Sequence, residues 1–250
     1  MFGRKKKLDQ GPITATVDWR DIRIFSADWW NPVGVTPAMR DRCVGLTPVW
    51  ATASVTALKG WGVTAFLDQD WEKDEKSGAF GLFTDPEHLR PICRLLEPET
   101  GDDGSLIYTA VDGQGATIGT ITKVPPSYRR FKHTWRIRTP AGQVINGRHW
   151  MATKQAHHQS ARELLNPLNY LGMALDDGSA GGGDGGPRGR RLLWVDPADD
   201  SKRAHRTHMM ESCSADWCRI TNLTPEQLDR RLALLAVIAE GRSVNVKPRF

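Results

Sequence analysis

The segment that most limits what this chain can become is its last helix, LTPEQLDRRLALLAVIAEG, predicted over 225–240 and bounded by Leu223 and Gly241. Thr224 is a good N-cap, Pro225 suits the first helical position, and Gln227 three residues on completes a capping box. Leu223 and Leu228 are placed to form a hydrophobic staple, and Gly241 suits the C′ position. Leu228 and Leu232 share one face, with Arg230 and Arg231 off it. From Leu232 to Ala239, however, every residue is apolar. A helix that is apolar all round has to be enclosed. This run is too short to cross a bilayer, which takes about 20 residues. The preceding sequence must therefore wrap it.

Most of that sequence reads as strand. ITATVDWRDIRIF (13–25) changes parity between Val17/Trp19 and Ile22/Ile24, which predicts a bulge or turn near Arg20 and Asp21. Residues 26–48, with Pro32, Gly34, Pro37, Gly45 and Pro48, read mainly as loop. VWATASVTAL and WGVTAFL flank Lys59-Gly60 as a pair of strands. The charged stretch 68–78 is a surface loop or a boundary, and Asp85-Pro86 is the signature of a short helix capped by Asp85. LIYTAV (106–111), the turn Asp112-Gly113-Gln114-Gly115 and ATIGTITKV (116–124) form a hairpin. RRFKHTWRIR (129–138), the turn Pro140-Ala141-Gly142 and QVINGRHW follow. Residues 153–165 are helix-like and stop before Pro167. NYLGMAL (169–175) and RRLLWV (190–195) read as strands around a Gly-rich flexible loop, 176–189, and SADWCRI (214–220) leads to the final helix.

The expected fold class is therefore α+β, mainly β: an antiparallel, barrel-like sheet enclosing a hydrophobic C-terminal helix. The expected organisation is a disordered basic tail (1–12), a Trp-rich N-terminal β extension (13–79) and a barrel region (80–250). The extension is either a set of extra barrel strands or a separate small module.

From about residue 80 to 245 the chain resembles the tubby C-terminal-like superfamily, which includes LURP-one-related and phospholipid-scramblase-like proteins. Three features carry the resemblance. One is the hairpin Tyr108-Thr109-Ala110-Val111-Asp112-Gly113-Gln114-Gly115 continuing to Ile118-Gly119-Thr120-Ile121. Another is Trp135-Arg136-Ile137 before Pro140-Ala141-Gly142, similar to that family's strand and turn but without its usual Asp. The third is the apolar C-terminal helix. The resemblance implies a barrel of about a dozen strands around that helix, and it points toward phosphoinositide-type ligands. The family's binding residues do not align to positions here. The long terminal span and calcium motif of the scramblases are missing, so scrambling activity is not implied.

Signatures of catalysis are few. There is no GxSxG elbow and no HExxH. Gly113-x-Gly115-x-x-x-Gly119 has the wrong spacing for a dinucleotide fingerprint and leads into a strand. The Gly-rich loop lacks GxxxxGK[ST] and precedes a strand, so it is no phosphate cradle. His205-x2-His208-x4-Cys213-x4-Cys218 offers four potential zinc ligands. Its C-x4-C step is wide, and in a strand-turn-strand segment ligands of different parity diverge. No metal is favoured, no cofactor is expected and no catalytic residue is assigned. With four cysteines among 250 residues the chain suits a reducing compartment. MFGRKKKLDQGP is not a secretory signal, because no apolar stretch follows its charges. These features predict a cytoplasmic protein without a transmembrane segment, able to associate peripherally with membranes.

The best binding candidate is the strand RRFKHTWRIR. Alternation places Arg130, Lys132, Arg136 and Arg138 on one face, with Phe131, Trp135 and Ile137 on the other. Four cations along one strand repel each other unless solvated or paired with an anion. The alternatives are a solvated outer face with acidic neighbours on adjacent strands, or a site for anionic lipid headgroups or another polyanion. The basic tip Arg4 to Lys7 would add to the pull, in keeping with a net charge of +5. The Trp29-Trp30 pair is the interface candidate, since adjacent side chains are seldom both buried. The expected function is non-enzymatic docking on anionic lipid or a protein partner. The alternatives are a nucleic-acid-binding β-protein and an enzyme with a dispersed, zinc-dependent site.

Overall fold

The computed structural model describes residues 14–27, 35–44, 46–54, 60–68, 78–125, 134–149, 191–197, 208–213, 217–220 and 228–242. Thirteen strands are described. They are β1 (Ile24–Ser26), β2 (Pro48–Thr52), β3 (Gly62–Leu67), β4 (Phe80–Phe83), β5 (Pro91–Leu95), β6 (Glu99–Thr100), β7 (Leu106–Asp112), β8 (Thr117–Val124), β9 (Thr134–Arg138), β10 (Val144–His149), β11 (Arg191–Val195), β12 (Met210–Cys213) and β13 (Trp217–Ile220). The helices among the described residues are α1 (Pro37–Arg42) and α2 (Arg230–Arg242).

The strands form one antiparallel sheet in which each stave pairs with its chain neighbour, save at two seams. At the first, β1 lies between β2 and β13, with Phe25 opposite both Ala51 and Cys218. At the second, β5 pairs with β7, Leu95 opposite Ala110, and closes a ring of twelve strands. The short β6 continues along the same edge of β7. The Trp-rich segment thus supplies staves of this ring: of the two alternatives left open by the sequence, extra barrel strands is the one that the pairing realises. Among the described strands closure leaves no long unpaired edge, the feature that invites strand addition.

A twelve-stranded ring is wider than the eight-stranded barrels whose own side chains fill the interior. Here α2 fills it. Leu232 through Ala239 are at most 6% exposed, and Glu240 is fully buried. The enclosing wall turns alternate residues inward: Tyr108 and Ala110 from β7, Ile121 from β8, Trp135 and Ile137 from β9, Ile145 from β10, Leu192 and Trp194 from β11. Gly147 is the pairing partner of both Trp135 and Trp194, and a Cβ there would lie 3.3 Å from the Trp194 ring. The missing side chain makes room for the indole.

The helix begins later than its sequence signals predict. Thr224, Pro225 and Gln227 lie outside the described residues, and residues 228–229 are not helical. Asp229 takes the cap role instead. Its carbonyl accepts from Ala233 N–H (3.2 Å), and its Oδ1 accepts from Arg231 N–H (2.8 Å). Its carboxylate also holds the Arg231 guanidinium at 2.7 Å. Asp is as good a cap as Thr, and this one gains an ion pair. Gly241 is within the last turn rather than beyond it, a difference of the size common at helix ends. The Arg231 guanidinium stacks 4.7 Å from the Trp19 ring, and Arg20 covers the same ring at 4.6 Å. The turn expected near Arg20 and Asp21 is present, closed by Asp21 N–H on the Asp18 carbonyl.

Other expectations are corrected. Pro37–Arg42, read as loop, is a helical turn with Pro37 at its start and the Thr36 side chain accepting from Met39 N–H. It stands by a second apolar cluster, Val35, Cys43, Trp50, Val63 and Phe66, with Met39 packed against it. Residues 80–83 and 91–95 are strands that the sequence did not announce. No helix starts at Asp85-Pro86; residues 84–90 are a tight connection between β4 and β5. Asp85 still caps, accepting Leu89 N–H (2.9 Å) and Arg90 N–H (3.0 Å). Burial pushes its carboxyl up, but these two N–H groups, the Arg90 charge and the Thr84 hydroxyl outweigh that and hold it below the ordinary range. Residues 153–165, 169–175 and the Gly-rich loop 176–189 lie outside the described residues.

Glu240 sits near the C-terminal end of α2, where the helix dipole disfavours a carboxylate. The wall answers it: Trp194 Nε1 donates to Ser212 Oγ (3.0 Å), and the Ser212 hydroxyl donates to Glu240 Oε2 (3.3 Å). Ser212→Ala removes a donor from a buried carboxylate and the acceptor of a buried indole N–H. Urea unfolding of this variant is expected to show a loss of about 2–3 kcal/mol. A loss under about 0.5 kcal/mol would mean that the chain of hydrogen bonds does not fix the end of the helix.

Candidate anion-binding face

The candidate strand is described from Thr134 to Arg138 and lies between β8 and β10; over Trp135–Arg138 its alternation is the expected one. Trp135 and Ile137 are fully buried in the interior, while Arg138 is exposed and Arg136 half-buried on the outer wall. Arg130 and Lys132 lie outside the described residues, as do Trp29 and Trp30. The register sets the neighbours of the two arginines. Arg136 stands between Thr122 and Asn146, and Arg138 between Thr120 and Val144. None of these is acidic, so acidic neighbours on the adjacent strands are not what balances this pair.

The two arginines are held differently. Arg136 Nε donates to Asn146 Oδ1 at 3.3 Å, which ties the guanidinium to β10. Its charge also reaches Asp103 in the turn before β7. The Asp103 carboxyl lies below its ordinary value, chiefly because the Ser105 hydroxyl and N–H donate to it, with Arg136 adding to the effect. Arg138 ends β9 beside the turn closed by Thr139 and Gln143. Lys123 occupies an inward register position opposite Trp135, its Nζ 6.0 Å from the indole ring. A cation over an indole face is attracted by the ring quadrupole.

The hairpin glycines are also placed. Asp112 Oδ1 accepts from Gln114 N–H (3.0 Å) and Ala116 N–H (2.8 Å), so Gly113 and Gly115 belong to a tight β turn. Gly119 does something the sequence did not suggest: it lies inside the wall against Leu232 of α2.

Of the four-residue His/Cys set, the two members whose side chains are described, His208 and Cys218, do not come together. His205 lies outside the described residues, and Cys213 belongs to β12. Cys218 is fully buried among the interior side chains, where burial first, then Glu240 and Glu211, push its thiol well above the ordinary value against the pull of Arg230. His208 lies 4.0 Å from Glu211, whose pairing partner Arg219 is exposed. Cys218 therefore faces the lumen while His208 sits with an outer-wall residue. Among the described residues no three His, Cys, Asp or Glu side chains converge as a metal site would need. Nor is any helix among them long and apolar enough to cross a membrane.

No protein-family model matches this chain, and no curated protein and no solved structure matches it either.

Proposed function

We propose that this protein is a non-enzymatic docking protein that binds anionic lipid headgroups through the outer face of β9. The observation that carries this reading is the pair Arg136 and Arg138 on one outer wall, flanked by Thr120, Thr122 and Asn146 with no carboxylate in register. Hydroxyl and amide neighbours can donate to phosphate oxygens without neutralising the cations. Arg130, Lys132 and the Arg4–Lys7 tip continue the same charge in the sequence. The lumen favours a binding role as well: α2 takes up the space in which an open barrel would house a substrate. The resemblance to the tubby C-terminal-like superfamily points the same way.

Nucleic acid is the second reading, and the face argues against single strands. Proteins that hold single strands stack bases on aromatic side chains. Ile107, Thr109, Thr120, Thr122, Val124, Arg136, Arg138, Val144 and Asn146 are described outward register positions of β7–β10, and none is aromatic. The test sets phosphatidylserine-containing vesicles against a labelled oligonucleotide at low salt. Vesicle retention is expected, with Arg138→Gln lowering it about fivefold, the equivalent of about 1 kcal/mol for one cation near an anionic surface. Retention of the oligonucleotide alone would move the assignment to nucleic acid. Retention of neither would remove both readings.

A further inference from the structure

We propose that Leu89 is the apolar anchor of this docking surface, inserted into the bilayer from a rim that also carries Arg90 and Arg138; the inference rests on the lipid-docking reading above. Exposed leucines are common and need no explanation by themselves. What singles out Leu89, 76% exposed, is the construction beneath it. The loop 84–90 is closed by Thr84 N–H on the Arg90 carbonyl and by His88 N–H on the Asp85 carbonyl. The Asp85 carboxylate, almost fully buried, takes the N–H groups of Leu89 and Arg90. His88 has φ +59, the only left-handed residue other than glycine among the described residues. L-residues with side chains adopt that conformation rarely. It is held by His88 Nε2 at 3.1 Å from the Leu67 carbonyl and by the ring of Phe83, centroids 4.7 Å apart. A buried carboxylate and an unfavourable backbone angle are thus used to fix a loop whose outermost aliphatic group meets solvent.

The topology sets this loop on the same rim as the basic strand. In an antiparallel barrel, alternate connections lie at one end. Loop 84–90 joins β4 to β5, residues 113–116 join β7 to β8, and residues 139–143 join β9 to β10, so all three share a rim. The contact that a Cβ on Gly113 would make with the Pro91 carbonyl confirms that the first two are adjacent. Arg138, the last residue of β9, lies three strands round the wall from β5, about 15 Å in the direction across the strands, and is level in register with Leu96 at the other end of β5. Arg90 follows Leu89 directly, its side chain 73% exposed even though its Nε lies 3.7 Å from the Asp85 carboxylate. An aliphatic tip next to a cation, with a second cation on the same rim, matches a membrane boundary, where headgroups are anionic and the acyl region starts a few ångströms deeper. A preordered loop loses little freedom on insertion.

The test is vesicle cosedimentation of the full chain on phosphatidylserine/phosphatidylcholine membranes. Leu89→Ala is expected to weaken retention roughly tenfold, from the aliphatic carbons withdrawn from the membrane. Leu89→Met should restore it. Val44→Ala, a truncation at the comparably exposed Val44 after α1, should leave retention unchanged. Asp85→Asn should weaken retention through the loop, and adding it to Leu89→Ala should then cost little more. If wild type is retained and Arg138→Gln weakens it while Leu89→Ala matches wild type, the anchor is overturned and the docking face stands. If Leu89→Ala and Val44→Ala lose equally, the effect is general hydrophobicity and the anchor is again overturned. If wild type is not retained at all, the docking reading fails and the anchor with it.

Discussion

Aspartate at any single position from Leu232 to Ala239 is expected to destabilise the folded barrel severely, with no position spared. The expectation follows from enclosure. On an amphipathic helix a charge is tolerated every third or fourth residue, where the face meets water. Along α2 all eight positions are at most 6% exposed, so each substitution strands a carboxylate without solvent. Burying an unpaired charge costs about 4 kcal/mol or more, a large share of the roughly 5–15 kcal/mol by which a folded domain exceeds its unfolded state. Residual folding, followed by circular dichroism and urea titration across the scan, should be uniformly low. A tolerance pattern repeating with the helical period would mean that one face of α2 is open to solvent.

The enclosure was readable because it is written in consecutive residues. An unbroken apolar run after Arg231 has only one physical solution in a chain rich in strands. The β7–β8 hairpin and the alternation of β9 were legible for a similar reason, since turn chemistry and a period of two act over neighbouring residues. The closing seams were not. The first depends on three residues, Ile24–Ser26, finding β13 almost 200 positions later in the chain. No local pattern encodes such a pairing. Strands β4 and β5 are not legible because FGLF is a short apolar run and PICRL a short one broken by Arg94, and periodicity alone cannot assign such pieces to strand or helix.

The same division holds at the candidate face. Which residues of β9 point outward was visible in the sequence, whereas Thr120, Thr122 and Asn146 as their neighbours required the register. The Asp85 loop shows how a correct local signal can give a wrong element. Asp followed by Pro is the start of a helix, and Asp85 does take backbone N–H groups as a cap would. The strand beginning at Pro91 leaves too few residues for a helix to form, so the cap closes a loop instead.

Gly119 is where wall and helix are closest, and Gly119→Ala is the second change with a large expected effect. Two separate costs fall on this position. Its φ of +148° is one that side chains of L-residues rarely adopt. A Cβ there would also lie 2.5 Å from Leu232 Cδ2 and 2.6 Å from the Arg138 carbonyl oxygen. The leucine could rotate away, but the carbonyl is part of the β8–β9 ladder and cannot move without opening it. Gly115→Ala separates the two costs, because Gly115 has φ +88° and a Cβ there would meet nothing within 4 Å. Gly115→Ala should lose about 1 kcal/mol from backbone strain alone. Gly119→Ala should lose about 3 kcal/mol or more, as overpacking adds to strain. Leu232→Ala added to Gly119→Ala should recover little, since the carbonyl contact remains and a cavity is created. Equal losses at the two glycines in urea titrations would show that the wall yields at β8, and that α2 is held less tightly than its burial implies.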